Sequence, residues 1–80
     1  MINSFDSKGT YYQLNKKKEL PIVFIHGVGL DNEMWKYQFN SFENTVLTYD
    51  ILGHGKTPLR VGQVTFDDFS EQLINLIGEL

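Results

Sequence analysis

Eighty residues leave room for one small domain and no second, and a chain this short buries a smaller share of its surface than a full-sized domain. An apolar share of 41%, with 14% aromatic residues, excludes a disordered chain and calls for a buried core. A formal net charge of −3 offers no basic field to a nucleic-acid backbone, and the absence of cysteine excludes disulfides and thiolate metal sites.

The one dense basic run, Lys16 to Lys18, has acids nearby and reads as a solvated loop. Residues 1–10 lack the basic start and apolar stretch of a secretory signal, and the longest apolar run, residues 22–25, is far too short to span a bilayer. The expectation is a soluble cytoplasmic protein with no nucleic-acid or membrane partner.

In chain order, residues 2–5 and 10–14 are strand-like and flank Asp6-Ser7-Lys8-Gly9, where Gly9 supplies the positive φ of a hairpin turn. After a polar loop, Pro21-Ile22-Val23-Phe24-Ile25 is apolar on both faces, which predicts a central strand of a parallel sheet with Pro21 at its first position. The strand ends at His26-Gly27-Val28-Gly29. Asp31 or Asn32 then caps a helix predicted over residues 33–42, with Met34, Trp35, Phe39 and Phe42 on its buried side. Residues 45–49 form the next strand, followed by the glycine-dense loop of residues 50–58 and a linker over residues 62–64. Thr65, with Asp68 three residues on, opens a last helix whose core stripe is Phe66, Phe69, Leu73, Leu76, Ile77 and Leu80. Strand, helix, strand, helix in this order predicts an α/β fold with parallel strands and a right-handed crossover. There is no internal repeat and no low-complexity segment.

Three motif readings compete for the glycine loops. Gly27-x-Gly29 after a strand, with Asp50 ending the next strand, fits a dinucleotide fold, but Asn32 stands where the third glycine would let helix and strand pack closely. Gly55-Lys56-Thr57 fits the end of a phosphate loop, but Asp50 falls at its first glycine, where a carboxylate would repel phosphate. Taken together, an apolar strand ending in His26-Gly27-Val28-Gly29, a helix containing Trp35, and a strand ending in Asp50 followed by Gly53-His54-Gly55-Lys56-Thr57 resemble the N-terminal part of the α/β-hydrolase family. The similarity covers roughly residues 20–80. Within the family, His-Gly-x-Gly-Leu and Met-Trp look like small carboxylesterases and enol-lactonases.

The resemblance implies the N-terminal portion of an α/β-hydrolase domain over residues 1–80, with the helix from Thr65 preceding the nucleophile strand. It implies a serine hydrolase acting on small esters or lactones by acyl transfer, with no cofactor and no metal. When a hydroxyl attacks such a carbonyl, the oxygen gains negative charge that fixed N–H donors stabilise. By resemblance, one donor is the backbone N–H of Val28, and the other follows the nucleophile. Gly27 and Gly29 would permit the turn that aims it, and the Val28 side chain would line the acyl pocket. His26 and His54 are expected to bond loop backbone rather than to act as base or metal ligand. Asp50 is expected to accept N–H bonds from the Gly53–Gly55 loop, and Thr57 takes the place of the family's more usual serine.

No Gly-x-Ser-x-Gly elbow occurs: Ser4, Ser7, Ser41 and Ser70 lack the flanking glycines that expose a strained nucleophile. Nucleophile, acid and base are therefore absent from these 80 residues, which are expected to be inactive alone and to stop short of the elbow. Two alternatives are a relative with other chemistry, such as a haloalkane dehalogenase with an aspartate nucleophile, and a non-catalytic interaction module. The strand at residues 21–25 would then lack a neighbour and promote self-association through its edge.

Overall fold

A computed structural model describes residues 1–59 and 64–80. Of the linker expected at residues 62–64, only Val64 lies among them. The chain forms strands β1 (Ile2–Phe5), β2 (Tyr11–Asn15), β3 (Glu19–Ile25) and β4 (Asn44–Tyr49), a one-turn 3₁₀ helix (Asn32–Trp35), and the helix α1 (Phe66–Glu79). The strands build one mixed sheet in the order β1-β2-β4-β3, with only β3 and β4 parallel.

The opening hairpin follows from its turn chemistry. The Asp6 Oδ1 accepts N–H bonds from Lys8 at 2.9 Å and Thr10 at 2.8 Å, and Gly9 sits at φ 87°, a value an L side chain resists. β4 alternates its side chains between two covered faces. On one face Leu47 and Tyr49 join Leu14, Ile51 and Leu76 in the core, with Tyr12, Val23, Phe69 and Leu73 packed against them. On the other, Phe24 meets Trp35 at 4.7 Å and Phe42 at 5.8 Å between ring centroids. The Trp35 Nε1 is buried there without a hydrogen-bond partner among the described residues.

The central strand expected at residues 21–25 is here an edge strand that starts two residues earlier. Pro21 falls inside it, within a register shift between Glu19 and Ile22. A proline has no N–H for the ladder, and bulges and edges are where a sheet tolerates that loss. The helix expected over residues 33–42 is replaced by the 3₁₀ turn capped by Asp31, which accepts the Glu33 N–H at 2.9 Å, and by further turns. Residues 36–42 combine Tyr, Phe, Asn and Ser, which favour helix weakly, so the stacking of Trp35 and Phe42 on Phe24 overrides helical spacing. Met34, expected to be buried, is 42% exposed.

α1 begins with the expected capping box: Thr65 accepts the Asp68 N–H, and the Asp68 carboxylate accepts the Thr65 N–H at 2.8 Å. Replacing Thr65 by alanine is expected to cost about 1 kcal/mol, measurable as a lowered urea midpoint with an unchanged slope. The expected stripe is only partly buried. Leu76 is fully covered, whereas Phe66 is 91% exposed and Ile77 and Leu80 are about half exposed.

The far end of α1 is tied to the first hairpin. The Ser7 hydroxyl and its N–H both donate to the Glu79 carboxylate, and these bonds lower its pKa from the ordinary 4.5. A depressed carboxylate pKa stabilises the fold above the ordinary value, and that stability is lost as pH falls through the lowered one. Glu79→Gln is therefore expected to flatten the pH dependence of thermal melting below pH 4.5 while changing little at neutral pH. Melting curves across that acid range test it, and an unaltered slope would show that the contact does not persist in solution.

Candidate functional site

Because β3 and β4 run parallel with Ile25 opposite Tyr49, the loops that follow them emerge side by side at one sheet edge. The carboxyl ends of parallel strands are where α/β sheets place ligand sites. The first loop is a tight turn in which Leu30 N–H donates to the Gly27 carbonyl at 3.2 Å and Gly29 takes φ 86°, the geometry of a type II turn with Val28 at its first corner. Only Gly29 answers the expectation that both glycines are required. Gly27 has no positive φ, and a Cβ on it would meet nothing nearer than Leu30 Cδ1 at 3.9 Å.

The Gly27 carbonyl has a second donor, His26 Nδ1 at 2.8 Å. A trans peptide points its C=O and the next N–H in opposite directions, so pinning that carbonyl from within the turn turns the Val28 N–H outward. The Val28 N–H makes no backbone hydrogen bond among the described residues, and the residue is 84% exposed. The same turn borders an open, largely apolar groove of about 330 Å³, lined in part by Ile25, Val28, Tyr49, Ile51, Phe69 and Leu73.

Asp50 anchors the second loop from a position only 1% exposed. Its Oδ1 accepts the Asn32 N–H at 2.8 Å and the Asn32 side-chain amide at 2.6 Å, and its Oδ2 accepts the Lys56 N–H at 2.9 Å. One carboxylate thus joins the end of the first loop to the glycine run of the second. Gly53 and Gly55 both take positive φ, at 75° and 52°. A Cβ on Gly55 would fall 2.5 Å from the Asp50 Cγ, so that carbon is excluded by space as well as by backbone.

Both imidazoles accept a backbone N–H on Nε2 and face a carbonyl with Nδ1. His26 takes the Ile51 N–H at 3.0 Å; His54 takes the Gly29 N–H at 3.0 Å and lies 2.9 Å from the Leu52 carbonyl. Among the described residues, no group of three His, Cys, Asp or Glu side chains is placed to hold a metal ion. The Thr57 hydroxyl accepts the Tyr11 N–H at 3.0 Å, and the Lys56 amine sits 4.7 Å over the Tyr11 ring. The phosphate-loop reading fails on that geometry, since its amine and hydroxyl are turned to the hairpin. The dinucleotide reading fails because its phosphate-binding helix is a single 3₁₀ turn.

Solved structures share this fold. A bromoperoxidase from Bacillus anthracis superposes with a TM-score of 0.77 at 30% identity, over 88% of this chain and 26% of that one. This is the N-terminal portion of an α/β-hydrolase fold. An esterase from Thermogutta terrifontis matches the α/β-hydrolase portion with a TM-score of 0.76 at 24% identity, over 96% of this chain and 29% of that one. In sequence, an (E)-2-((N-methylformamido)methylene)succinate hydrolase of Acinetobacter baylyi is 34% identical over 62 residues. That alignment covers 75% of this chain, and the chain spans about a quarter of the relative's length, 24%. No protein-family profile matches the chain.

Two residues of this α/β-hydrolase portion escaped sequence reasoning. Asn32, the residue that broke the dinucleotide fingerprint, delivers two of the three donors to Asp50. Gln72, a polar interruption of the apolar stripe of α1, donates to the Thr10 hydroxyl at 3.1 Å and the Asp50 carbonyl at 3.0 Å, and accepts the Leu52 N–H at 3.0 Å. Each signalled itself as a polar residue where the pattern called for an apolar or minimal one.

Proposed function

We propose that these residues form the oxyanion-loop portion of a serine hydrolase acting on small ester or lactone substrates, with the Val28 N–H as one of its two donors. The observation that carries this reading is the Val28 N–H itself, left without a backbone partner beside an open apolar groove while the Gly27 carbonyl and the Gly29 N–H on either side are held by other groups. An N–H so placed is aimed before the reaction begins, and it stabilises the negative oxygen that develops when an ester carbonyl is attacked. Val28 and Ile25 would face the acyl group. His26, Gly27, Gly29, Asp50, Gly53, His54 and Gly55 shape the loops and take no part in bond making.

The nucleophile, acid and base lie outside these 80 residues. Reading the coding DNA beyond the Leu80 codon is the first test. An in-frame strand leading into Gly-x-Ser-x-Gly, with hydrolysis of a small ester by the extended product, is the expected result. An aspartate at the serine position would move the chemistry to dehalogenation, and an immediate stop codon would end the enzyme reading. A stop codon would favour the second reading, pairing of copies through the bare edge of β3, where Leu20 and Ile25 are exposed. That reading requires concentration-dependent sedimentation of the 80-residue chain.

A further inference from the structure

We propose that His54 is a positioning residue for the first-loop donor, that it acts only as a neutral imidazole protonated on Nδ1, and that acid therefore releases the first loop. The proposal rests on the reading of Val28 as the donor and adds to it a control by protonation.

The two loops exchange backbone donors through their histidines. The first loop gives its Gly29 N–H to His54 of the second, and the second gives its Ile51 N–H to His26 of the first. A backbone N–H can only donate, so each Nε2 must be an unprotonated acceptor. Each Nδ1 faces a carbonyl, Leu52 for His54 and Gly27 for His26, so each Nδ1 must carry the proton. The turn around Val28 is thereby pinned on both sides: the peptide before it by its oxygen, the peptide after it by its nitrogen.

A proton added to Nε2 turns an acceptor into a donor facing a donor, which breaks the bond. The two imidazoles differ in how acid reaches them. His26 is 3% exposed and lies behind His54, with ring centroids 5.5 Å apart, whereas His54 is half-buried and lines the open cleft with Gly29, Asp31, Glu33 and Gly53. Asp31 and Glu33 are the titratable groups sharing that cleft. Asp50, on the same loop, is committed to Asn32 and Lys56 N–H donors, and the Lys56 amine turns to Tyr11. His54 is thus the imidazole open to the cleft, and a proton on its Nε2 frees the Gly29 N–H next to the donor.

The test uses the ¹⁵N-labelled 80-residue chain, with the imidazole nitrogens and the Val28 and Gly29 amides followed by NMR from about pH 8 to about pH 5. The expected result is an Nδ1-protonated His54 at the upper pH, and a Gly29 amide whose shift and exchange protection titrate in step with it, protection falling about tenfold or more for a lost bond of about 1.4 kcal/mol. An Nε2-protonated His54, or a Gly29 amide indifferent to the His54 titration, would overturn the proposal. His54→Gln places an uncharged amide oxygen near the Gly29 N–H and is expected to keep its protection while abolishing the pH dependence. A pH dependence that survives in His54→Gln would also overturn it. These readouts hold whether or not Val28 serves as an oxyanion donor, which is decided separately by removing that N–H.

Discussion

Replacing Val28 by proline in a gene product that includes the nucleophile is expected to lower kcat on a small ester by about 10²- to 10³-fold, with a much smaller change in KM. Proline removes the N–H and little else at this position. Val28 occupies the first corner of a type II turn, the position proline favours, and the preceding Gly27 follows a strand and has no Cβ to clash with the ring. The Gly29 to His54 bond and the Gly27 to Leu30 turn bond are both compatible with the substitution. Val28→Ala keeps the N–H and trims a side chain proposed to face the acyl group, so it is expected to retain most of kcat, with any loss falling mainly on KM. If proline and alanine variants were equally active, the donor would have to be sought elsewhere in the loop.

Gly55→Ala is expected to destabilise the chain by about 3 kcal/mol or more. An L residue in the left-handed region costs about 1–2 kcal/mol, and the new methyl group must displace the Asp50 carboxylate, 2.5 Å away at Cγ. Moving that carboxylate disturbs hydrogen bonds to three N–H donors, each worth about 1.5–3 kcal/mol when the acceptor is charged. Against a typical domain stability of about 5–15 kcal/mol this is a large share, and greater for so short a chain. Gly78→Ala is the matched control, because nothing lies within 4 Å of its would-be Cβ and it sits in α1. It is expected to stabilise by about 0.5–1 kcal/mol. Urea unfolding of the two variants should thus shift in opposite directions; a Gly55→Ala variant as stable as the parent would show that Asp50 does not hold the loop.

Most of the architecture was legible because local signals agreed with the global arrangement. Gly9 marked the hairpin, the Thr65/Asp68 pair marked the start of α1, and the paired glycine loops marked the ends of β3 and β4. The failures lie where tertiary contacts decide. Trp35, Phe39 and Phe42 have the spacing of a helix, yet nothing local shows that Phe24 will take both Trp35 and Phe42. The apolar run of β3 marked a strand built to be covered on both sides, and its place at the edge of the described sheet agrees with the neighbour expected to be missing from these residues. The residues of the two loops could be singled out from their pattern, but the reciprocal bonds between His26, His54, Gly29 and Ile51 join positions 25 apart and are visible only in three dimensions.

The placement of Trp35 gives this sheet two independent optical reporters. The chain has one tryptophan, and it stacks on Phe24 on the face of the sheet opposite α1. Its fluorescence therefore follows the connection between β3 and β4. The helical circular dichroism comes almost wholly from α1, the one α-helix among the described residues. β4 is the shared wall between them, so coincident transitions from the two signals would mean that the layers on either side of β4 melt as one cooperative unit. Separate transitions would show that the layer bearing the first loop can loosen while α1 stays docked.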